Sequence, residues 1–302
     1  MKRRRMGQGP AACVWAATAG LVIMVGCRSS STNGGSLEKE LASTGYVVQL
    51  MPLVHTLQDH RGIAVSFVDG DTSVDFAGPE ERIGQQYVII NRFDNQHPEL
   101  NGARERWTPL GKDILALMES WRDQPRECFR RHSDVIAQTL SLVTYLSESS
   151  TMGADSADVR SLAEAALTIV PSLGETMSQA RDLIASMAGV TAMVRDEQRA
   201  AFQQQLGSLR TQLDRLKGAL EQGYGVDPQL RSQLEPPRQQ VAEAMTPVLE
   251  RMDQQVVKAE YVKMTPDDWT PKATAAVDAI RVLQQQLLST LQARLNARKP
   301  RA

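Results

Sequence analysis

The sequence predicts an all-α protein, and composition, hydrophobic spacing and the lack of strand signals all favour this class. Only 5% of the 302 residues are aromatic, whereas Ala, Leu, Gln and Arg are abundant, which favours helices over sheet. Apolar residues recur in steps of three and four along most of the chain, which is the spacing of one helix face. No pair of alternating runs surrounds a turn signal. We therefore expect about eight or nine helices in two packed antiparallel bundles with long helices.

The N-terminus has the pattern of an export signal. Basic residues at positions 2–5 precede an apolar run from Ala11 to about Val25, and the small Gly26 stands before Cys27. This ending resembles the bacterial lipobox, so residues 1–26 are predicted to be a lipoprotein signal peptide and Cys27 the lipidated (palmitate-bearing) N-terminus. The alternative is an uncleaved membrane anchor, but a membrane span needs about 20 apolar residues.

Cleavage after residue 26 would change the net charge of the mature chain and leave it attached to a membrane through Cys27. It removes four positive charges and no negative one, so the net charge changes from −1 to −5, which argues against a nucleic-acid partner. Residues 27–36 would form a flexible Gly/Ser-rich tether, holding the protein to an envelope membrane and facing the periplasm. Arg28 permits sorting to the outer membrane. Cys128 would be the remaining cysteine, and we expect it to be buried and unreactive.

The helices are predicted to fall into two groups, a first bundle at 37–150 and a second at 151–302. In the first bundle, a loop over 96–106 is expected before a helix starting at Thr108, and Pro52 is expected to kink or restart the first helix. In the second bundle, breaks are expected at Pro171, Gly223–Gly225 and Pro236–Pro237. A leucine seam over 202–220 is typical of bundle core and also allows a homodimer.

Two arginines occupy positions that helical spacing assigns to the core. Arg61 continues a stripe through Leu50, Val54, Leu57, Ala64 and Val68, and Arg181 lies on a stripe with Leu173, Met177, Ile184 and Met187. An arginine keeps its charge at ordinary pH, so a buried one needs a carboxylate, carbonyl groups or a bound anion. The pattern predicts a small anion held between the two arginines. The alternative is a structural ion pair between Arg61 and a buried acid such as Glu175.

Two segments containing these arginines resemble a known family. Residues 53–62, Leu-Val-His-Thr-Leu-Gln-Asp-His-Arg-Gly, resemble the opening motif of the nitrate- and nitrite-sensing helical domain, roughly Val-His-x-Leu-Gln-x-Glu-Arg-Gly. Residues 175–181 resemble a second signature of that family, Glu-x-x-Gly-x-x-Arg. His60 replaces the glutamate of the first motif and Ser178 replaces the glycine of the second. The resemblance extends over approximately residues 40–295.

The resemblance implies packed helical bundles that bind a small oxyanion, with arginines as the main ligands. By motif position these ligands are Arg61 and Arg181. His60, beside the first arginine, and His132, on the helix face of Phe129, are further candidate ligands because imidazole can donate a hydrogen bond to an anion. Nitrate and guanidinium are both planar, so one guanidinium can present two donors to the anion.

The remaining motifs exclude most other functions. No metal-ligand spacing, phosphate loop, Gly-x-Ser-x-Gly motif or cofactor signature is found, so we expect neither an enzyme nor a cofactor or metal site. The sequence therefore predicts an exported, lipid-anchored sensor or binding protein for nitrate, nitrite or a similar oxyanion. With no recognisable output module, it would act through an unidentified signalling partner. The alternative is a structural envelope lipoprotein that serves as a protein-docking scaffold, its arginines paired internally.

Overall fold

The computed structural model describes residues 33–150, 152, 156–188, 193–262 and 264–299. The predicted signal peptide and Cys27 lie outside these residues, as do positions 27–32 of the predicted tether. Among the described helices, none combines the length and apolarity needed to cross a bilayer.

The described ranges form an all-α fold, as predicted, with one isolated antiparallel bridge between Met193 and Tyr261. They contain nine α-helices: α1 Asn33–Val68, α2 Ala77–Gln96, α3 Asn101–Ser120, α4 Cys128–Ser149, α5 Ala157–Glu164, α6 Val170–Met187, α7 Asp196–Val226, α8 Gln229–Met252 and α9 Pro266–Ala297. Short 3-10 turns precede α3 and α4, and π-helical segments at Ala165–Ile169 and Asp253–Val257 follow α5 and α8.

Helix α1 is the element that the others share. It packs against α2 and α4 on one side and against α6 and α9 on another, while α6 and α8 both pack on α9. Its apolar stripe is fully buried at Leu50, Leu53 and Leu57. Because α1 contacts helices from both sides of the predicted boundary at residue 150, the described helices belong to one compact unit.

Several predicted ends and breaks differ from the structure. Helix α1 begins at Asn33, so positions 33–36 of the predicted tether are helical. Helix α3 begins at Asn101, inside the predicted loop, because Ala103 and Trp107 are buried and extend the apolar stripe of that helix upstream. At the other end of α1, Val68 is exposed although its spacing placed it on the inward stripe.

The prolines do not break the helices that contain them. Helix α8 runs through Pro236 and Pro237, where two carbonyl groups one turn earlier, those of Ser232 and Gln233, lose their N–H partners. Both residues are exposed, so water can satisfy these oxygens. The break predicted at Pro171 is likewise absent, since the helical path runs without interruption from α5 through the π-helical segment Ala165–Ile169 into α6. Helix α7, in contrast, ends at Val226, one residue past the predicted stop at Gly223–Gly225.

Candidate functional site

The fold brings together the two arginines that helical spacing assigned to the core. Arg61 on α1 is fully buried and Arg181 on α6 is 7% exposed, as their positions on apolar stripes predicted. Gly62 permits this close approach of α1 and α6. A Cβ atom on Gly62 would lie 2.8 Å from Asp182 Oδ1 and 3.1 Å from Arg181 Nη2, which is closer than side-chain packing tolerates.

Arg61 is surrounded by groups that match its charge and its donors. Its Nη1 donates to Glu175 Oε1 at 2.6 Å and to Ser133 Oγ at 3.1 Å, and its Nε donates to Asp182 Oδ2 at 2.8 Å. The Phe129 ring lies 5.2 Å from the guanidinium carbon. Burial alone lowers the pKa of Arg61, but the two carboxylates outweigh burial and raise the pKa above its usual value.

One carboxylate, that of Asp182, connects the two arginines. Its Oδ1 accepts from Arg181 Nε at 2.9 Å while its Oδ2 accepts from Arg61 Nε at 2.8 Å. Arg181 also donates from Nη2 to the Gln58 carbonyl oxygen at 3.2 Å, and its Nη1 lies 3.6 Å from Asp59 Oδ1. The two guanidiniums are therefore bridged by an anion that belongs to the protein itself.

Amide side chains hold the second carboxylate of the cluster. Glu175 Oε2 accepts from Gln58 Nε2 at 2.9 Å, and Glu175 Oε1 accepts from Gln179 Nε2 at 2.7 Å. Together with the bond from Arg61, these contacts satisfy both carboxylate oxygens. The alternative in which Arg61 pairs with Glu175 is thus the arrangement that the structure contains.

A third arginine completes the cluster from α9. Arg281 donates from Nη2 to Asp59 Oδ1 at 2.8 Å and from Nη1 to Asp59 Oδ2 at 3.2 Å. Three guanidiniums thus face three carboxylates, and the formal charges cancel: Arg61, Arg181 and Arg281 against Asp59, Glu175 and Asp182. An anion entering between Arg61 and Arg181 would bind favourably only if it displaced the carboxylate that already lies there or arrived with a proton.

A cavity of about 320 Å³ opens beside this cluster. Arg181, Asp182 and Asp59 line it together with Thr270 and Thr274, whereas Arg61 does not. A small anion entering the cavity would therefore meet Arg181 before Arg61. The hydroxyl groups of the two threonines offer further hydrogen-bond donors on the α9 side.

The two histidine candidates pair with each other on another face of α1. His60 Nδ1 lies 2.7 Å from His132 Nε2, and His132 Nδ1 lies 2.7 Å from the Cys128 carbonyl oxygen. Since that carbonyl can only accept, His132 Nδ1 carries a proton and, in the neutral ring, Nε2 accepts the bond from His60. Both rings are fully buried. The expectation that either histidine contacts an anion stays a prediction.

Burial determines the protonation of this pair and of its neighbouring thiol. Desolvation, helped by the proximity of His60, lowers the pKa of His132 to about 3, and desolvation also lowers the pKa of His60. Burial raises the pKa of the Cys128 thiol to about 11, in keeping with the buried, unreactive cysteine that was predicted.

Four residues of the cluster were not identified from the sequence: Gln58, Asp59, Asp182 and Arg281. Asp182 directly follows Arg181, and Gln58 precedes Arg61 by one helical turn, so both could have been found by listing polar neighbours of the arginines. Arg281 gave no such signal, because its partner Asp59 is 222 positions away in the sequence. No group of three or more candidate metal ligands occurs in the part of the chain that the structure describes.

Comparison with known proteins agrees with the fold and with the helical motifs. The chain superposes on a solved structure titled "Structure of the NasR transcription antiterminator" with a TM-score of 0.68 and 17% sequence identity. The superposition covers 87% of this chain and 71% of that one, and it establishes similarity of fold. No curated protein sequence matches the chain. The sequence pattern of the family described as "Nitrate and nitrite sensing" matches residues 52–292, and the chain therefore belongs to that family.

Proposed function

We propose that this protein is an exported, lipid-anchored sensor or binding protein for nitrate, nitrite or a similar small oxyanion, clamped between Arg61 and Arg181. Asp182 carries the proposal, because its carboxylate accepts a hydrogen bond from each of the two guanidiniums. A carboxylate is a planar anion with two acceptor oxygens, and nitrate and nitrite share that shape and charge. The clamp thus already holds a chemical analogue of the proposed ligand.

Binding would proceed by exchange of one anion for another. The oxyanion would enter the 320 Å³ cavity, contact Arg181, and take the position between the arginines that Asp182 occupies. Asp182 lines the same cavity, so its displaced carboxylate would turn towards water there. The exchange preserves the charge balance around the buried Arg61, which a simple addition of nitrate would not.

The exchange would also change how the helices are joined. Asp182 links α6 to α1, and the Trp269 indole Nε1 on α9 donates to the Arg181 carbonyl oxygen at 3.0 Å. A rearrangement at Arg181 would therefore reach both α1 and α9. A sensor needs two states that bind the anion with different affinity. In the first proposed state Asp182 bridges the two arginines, and in the second the bridge is absent and α6 takes a different position.

The second candidate is a structural scaffold in the envelope. The observation that favours it is that each carboxylate and guanidinium of the cluster has a partner within the protein. In a scaffold this network would fix the packing of α1 on α6 and α9 without any ligand. The two candidates differ in one measurable respect, since the sensor responds to an oxyanion and the scaffold does not.

Thermal unfolding of the full chain in mild detergent, titrated with nitrate, nitrite, chloride and sulfate, tests the proposal. A ligand at about 100 times its dissociation constant raises the free energy of unfolding by roughly 2.7 kcal/mol. We expect stabilisation by nitrate or nitrite that Arg181→Lys greatly reduces, because lysine keeps the charge but loses the planar pair of donors.

The matched control for that variant is Arg104→Lys, since Arg104 also bonds a buried carboxylate, that of Asp94, but lies on α3 and does not line the cavity. This control should retain the anion response. Equal stabilisation of all three proteins by every anion, or no stabilisation at all, would contradict the oxyanion site and favour the scaffold.

The anchor, the partner and the compartment form a separate part of the proposal. Lipid on Cys27 would hold the protein to an envelope membrane facing the periplasm, where a partner protein would receive the signal, and a homodimer through the leucine seam at 202–220 is compatible with either role. Expression in a bacterial host should yield a mature chain starting at Cys27 with the added mass of acyl groups. Cys27→Ser should abolish that added mass, and an unmodified N-terminus in the unaltered protein would contradict the anchor.

A further inference from the structure

A second cavity, of about 480 Å³, lies between α1 and α9 away from the arginine clamp. Its apolar wall includes Val48, Met51 and Pro52 from α1 and Leu288 from α9. Its volume is within the range of small-molecule sites, about 300–1,000 Å³. The sequence offered no sign of it, because the two helices that form it are distant in the chain.

Two residues that line this cavity carry buried donors that lack acceptors. Gln284 is 2% exposed, and its side-chain Nε2 has no hydrogen-bond partner, while its Oε1 lies 3.3 Å from His55 Nε2. Arg281 Nε is also buried without a partner, although the other two nitrogens of that guanidinium bond Asp59. A buried donor is normally satisfied, so two of them lining one cavity indicate a missing acceptor.

The charges around the cavity define which acceptor fits. Among the described residues, no Asp or Glu lines it, and Arg281 keeps an unpaired Nε even though Asp59 binds its other two nitrogens and Asp278 lies 3.6 Å from Nη1. Burial lowers the pKa of His55 to about 4, so its ring is neutral at physiological pH and adds no second charge. An anionic group with oxygen acceptors suits this end, and an aliphatic body suits the apolar wall.

We propose that the cavity between α1 and α9 is a second ligand site, which binds a small organic carboxylate with a short aliphatic chain. The carboxylate accepts hydrogen bonds from Arg281 Nε and Gln284 Nε2, and the chain packs against Met51 and Leu288. The rim includes Val282, which is 52% exposed, so a ligand has a route from solvent. This site is chemically distinct from the cavity beside the clamp, because the carboxylates of Asp59 and Asp182 line that cavity and are not among the residues that line this one.

The second site is joined to the clamp through ion pairs of Asp59 and hydrogen bonds of Gln58. Asp59 Oδ1 lies 2.8 Å from Arg281 Nη2 and 3.6 Å from Arg181 Nη1. Gln58 accepts from Arg281 at 3.4 Å and donates to Glu175 at 2.9 Å. A carboxylate that draws Arg281 towards the cavity therefore weakens its hold on Asp59 and alters the surroundings of Arg181. The two sites can thus influence each other's affinity.

Ligand-observed NMR on the full chain, with butanoate as the probe and butan-1-ol and butylammonium as matched controls, tests the site. We expect butanoate to bind and the alcohol and the cation to bind much more weakly. Gln284→Leu should weaken butanoate binding about tenfold or more, because it removes one donor to a charged acceptor. The change also removes the contact between Gln284 Oε1 and His55 Nε2, so urea-induced unfolding of the variant checks that the fold remains intact.

A variant at the rim keeps the test independent of core packing. Val282→Glu places a negative charge beside the cavity and should also weaken butanoate binding, whereas Val88→Glu, at a comparably exposed valine on α2, should not. Arg181→Lys should retain butanoate binding and change its affinity much less than Gln284→Leu does, because Arg181 lines the other cavity. No butanoate binding, equal binding of butan-1-ol, or loss of butanoate binding in Arg181→Lys would each overturn the proposal.

Discussion

His60 and Arg61 are adjacent on α1, and each enters a different buried polar site. Charge is retained and paired in one site and is suppressed in the other. Arg61 enters an ionic network in which charges remain and each has a counter-charge. His60 enters a neutral pair with His132, in which burial suppresses the charge itself. The ionic network can exchange one anion for another, as the proposed sensor requires. The neutral pair has no charge to exchange, and it responds instead to protons.

The largest effect should come from removing the central cation of the ionic network. Arg61→Met leaves Glu175 and Asp182 buried with less compensation, and we expect the free energy of unfolding to fall by about 3–5 kcal/mol. Urea-induced unfolding measures this loss. Adding Glu175→Gln to Arg61→Met should restore much of the stability, because two guanidiniums then face two carboxylates, Arg181 with Asp182 and Arg281 with Asp59.

A loss of less than about 1 kcal/mol in Arg61→Met would contradict this prediction, because that is the size expected for a solvent-exposed ion pair. The charges around Arg61 would then not be held as a buried network, and the contrast with the histidine pair would not hold.

A smaller effect should follow from separating α1 and α6. Gly62→Ala places a methyl group against the Asp182 carboxylate, and we expect a loss of about 1–3 kcal/mol from overpacking. The control is Gly84→Ala in α2, where a Cβ atom meets nothing within 4 Å. That change should stabilise the helix by up to about 1 kcal/mol. If both variants change stability in the same direction, the close approach at Gly62 does not constrain the network.

The histidine pair should make stability depend on pH. The pKa of His132 is lower in the folded protein than in the unfolded chain, so its contribution is present above about pH 6.5 and is lost as the pH falls towards about 3. Between pH 7 and pH 5 this amounts to about 2 kcal/mol. Between pH 7 and pH 5, the free energy of unfolding of His132→Gln should therefore fall by about 2 kcal/mol less than that of the unaltered protein. Urea-induced unfolding at the two pH values measures this difference.

The control for His132→Gln is His97→Gln, because the His97 side chain is 30% exposed and the residue lies in a turn between α2 and α3. It should reduce the pH dependence by less than His132→Gln does. An equal effect of the two substitutions would mean that burial is not what sets the protonation of His132.

The sequence predicted the elements of the site better than their contacts. Steps of three and four residues placed Arg61 and Arg181 on buried faces, because helical periodicity is a local property. The partner of each arginine depends on how far one helix slides along another, and periodicity carries no information on that register. For this reason Glu175 could be suggested as one partner from the sequence, while the bridging role of Asp182 and the contribution of Arg281 could not.

The helix ends show the same division between local and non-local information. The break expected at Pro236–Pro237 rests on local backbone rules, yet α8 continues because its stripe through Leu234 and Val241 is buried. Packing of that stripe outweighs the loss of two helical hydrogen bonds on an exposed face. The start of α3 was misplaced for the same reason, since buried Ala103 and Trp107 extend the helix into a polar sequence.

In the proposed mechanism an oxyanion replaces Asp182 between the two arginines, and calorimetric titration of nitrate into Asp182→Asn is the sharpest test of this exchange. The variant removes the internal competitor and one negative charge, so nitrate should bind it at least about tenfold more tightly than it binds the unaltered protein. Asp134→Asn, at an exposed aspartate on α4, should bind like the unaltered protein. Equal or weaker nitrate binding by Asp182→Asn, or no binding by any of the three proteins, would contradict the account.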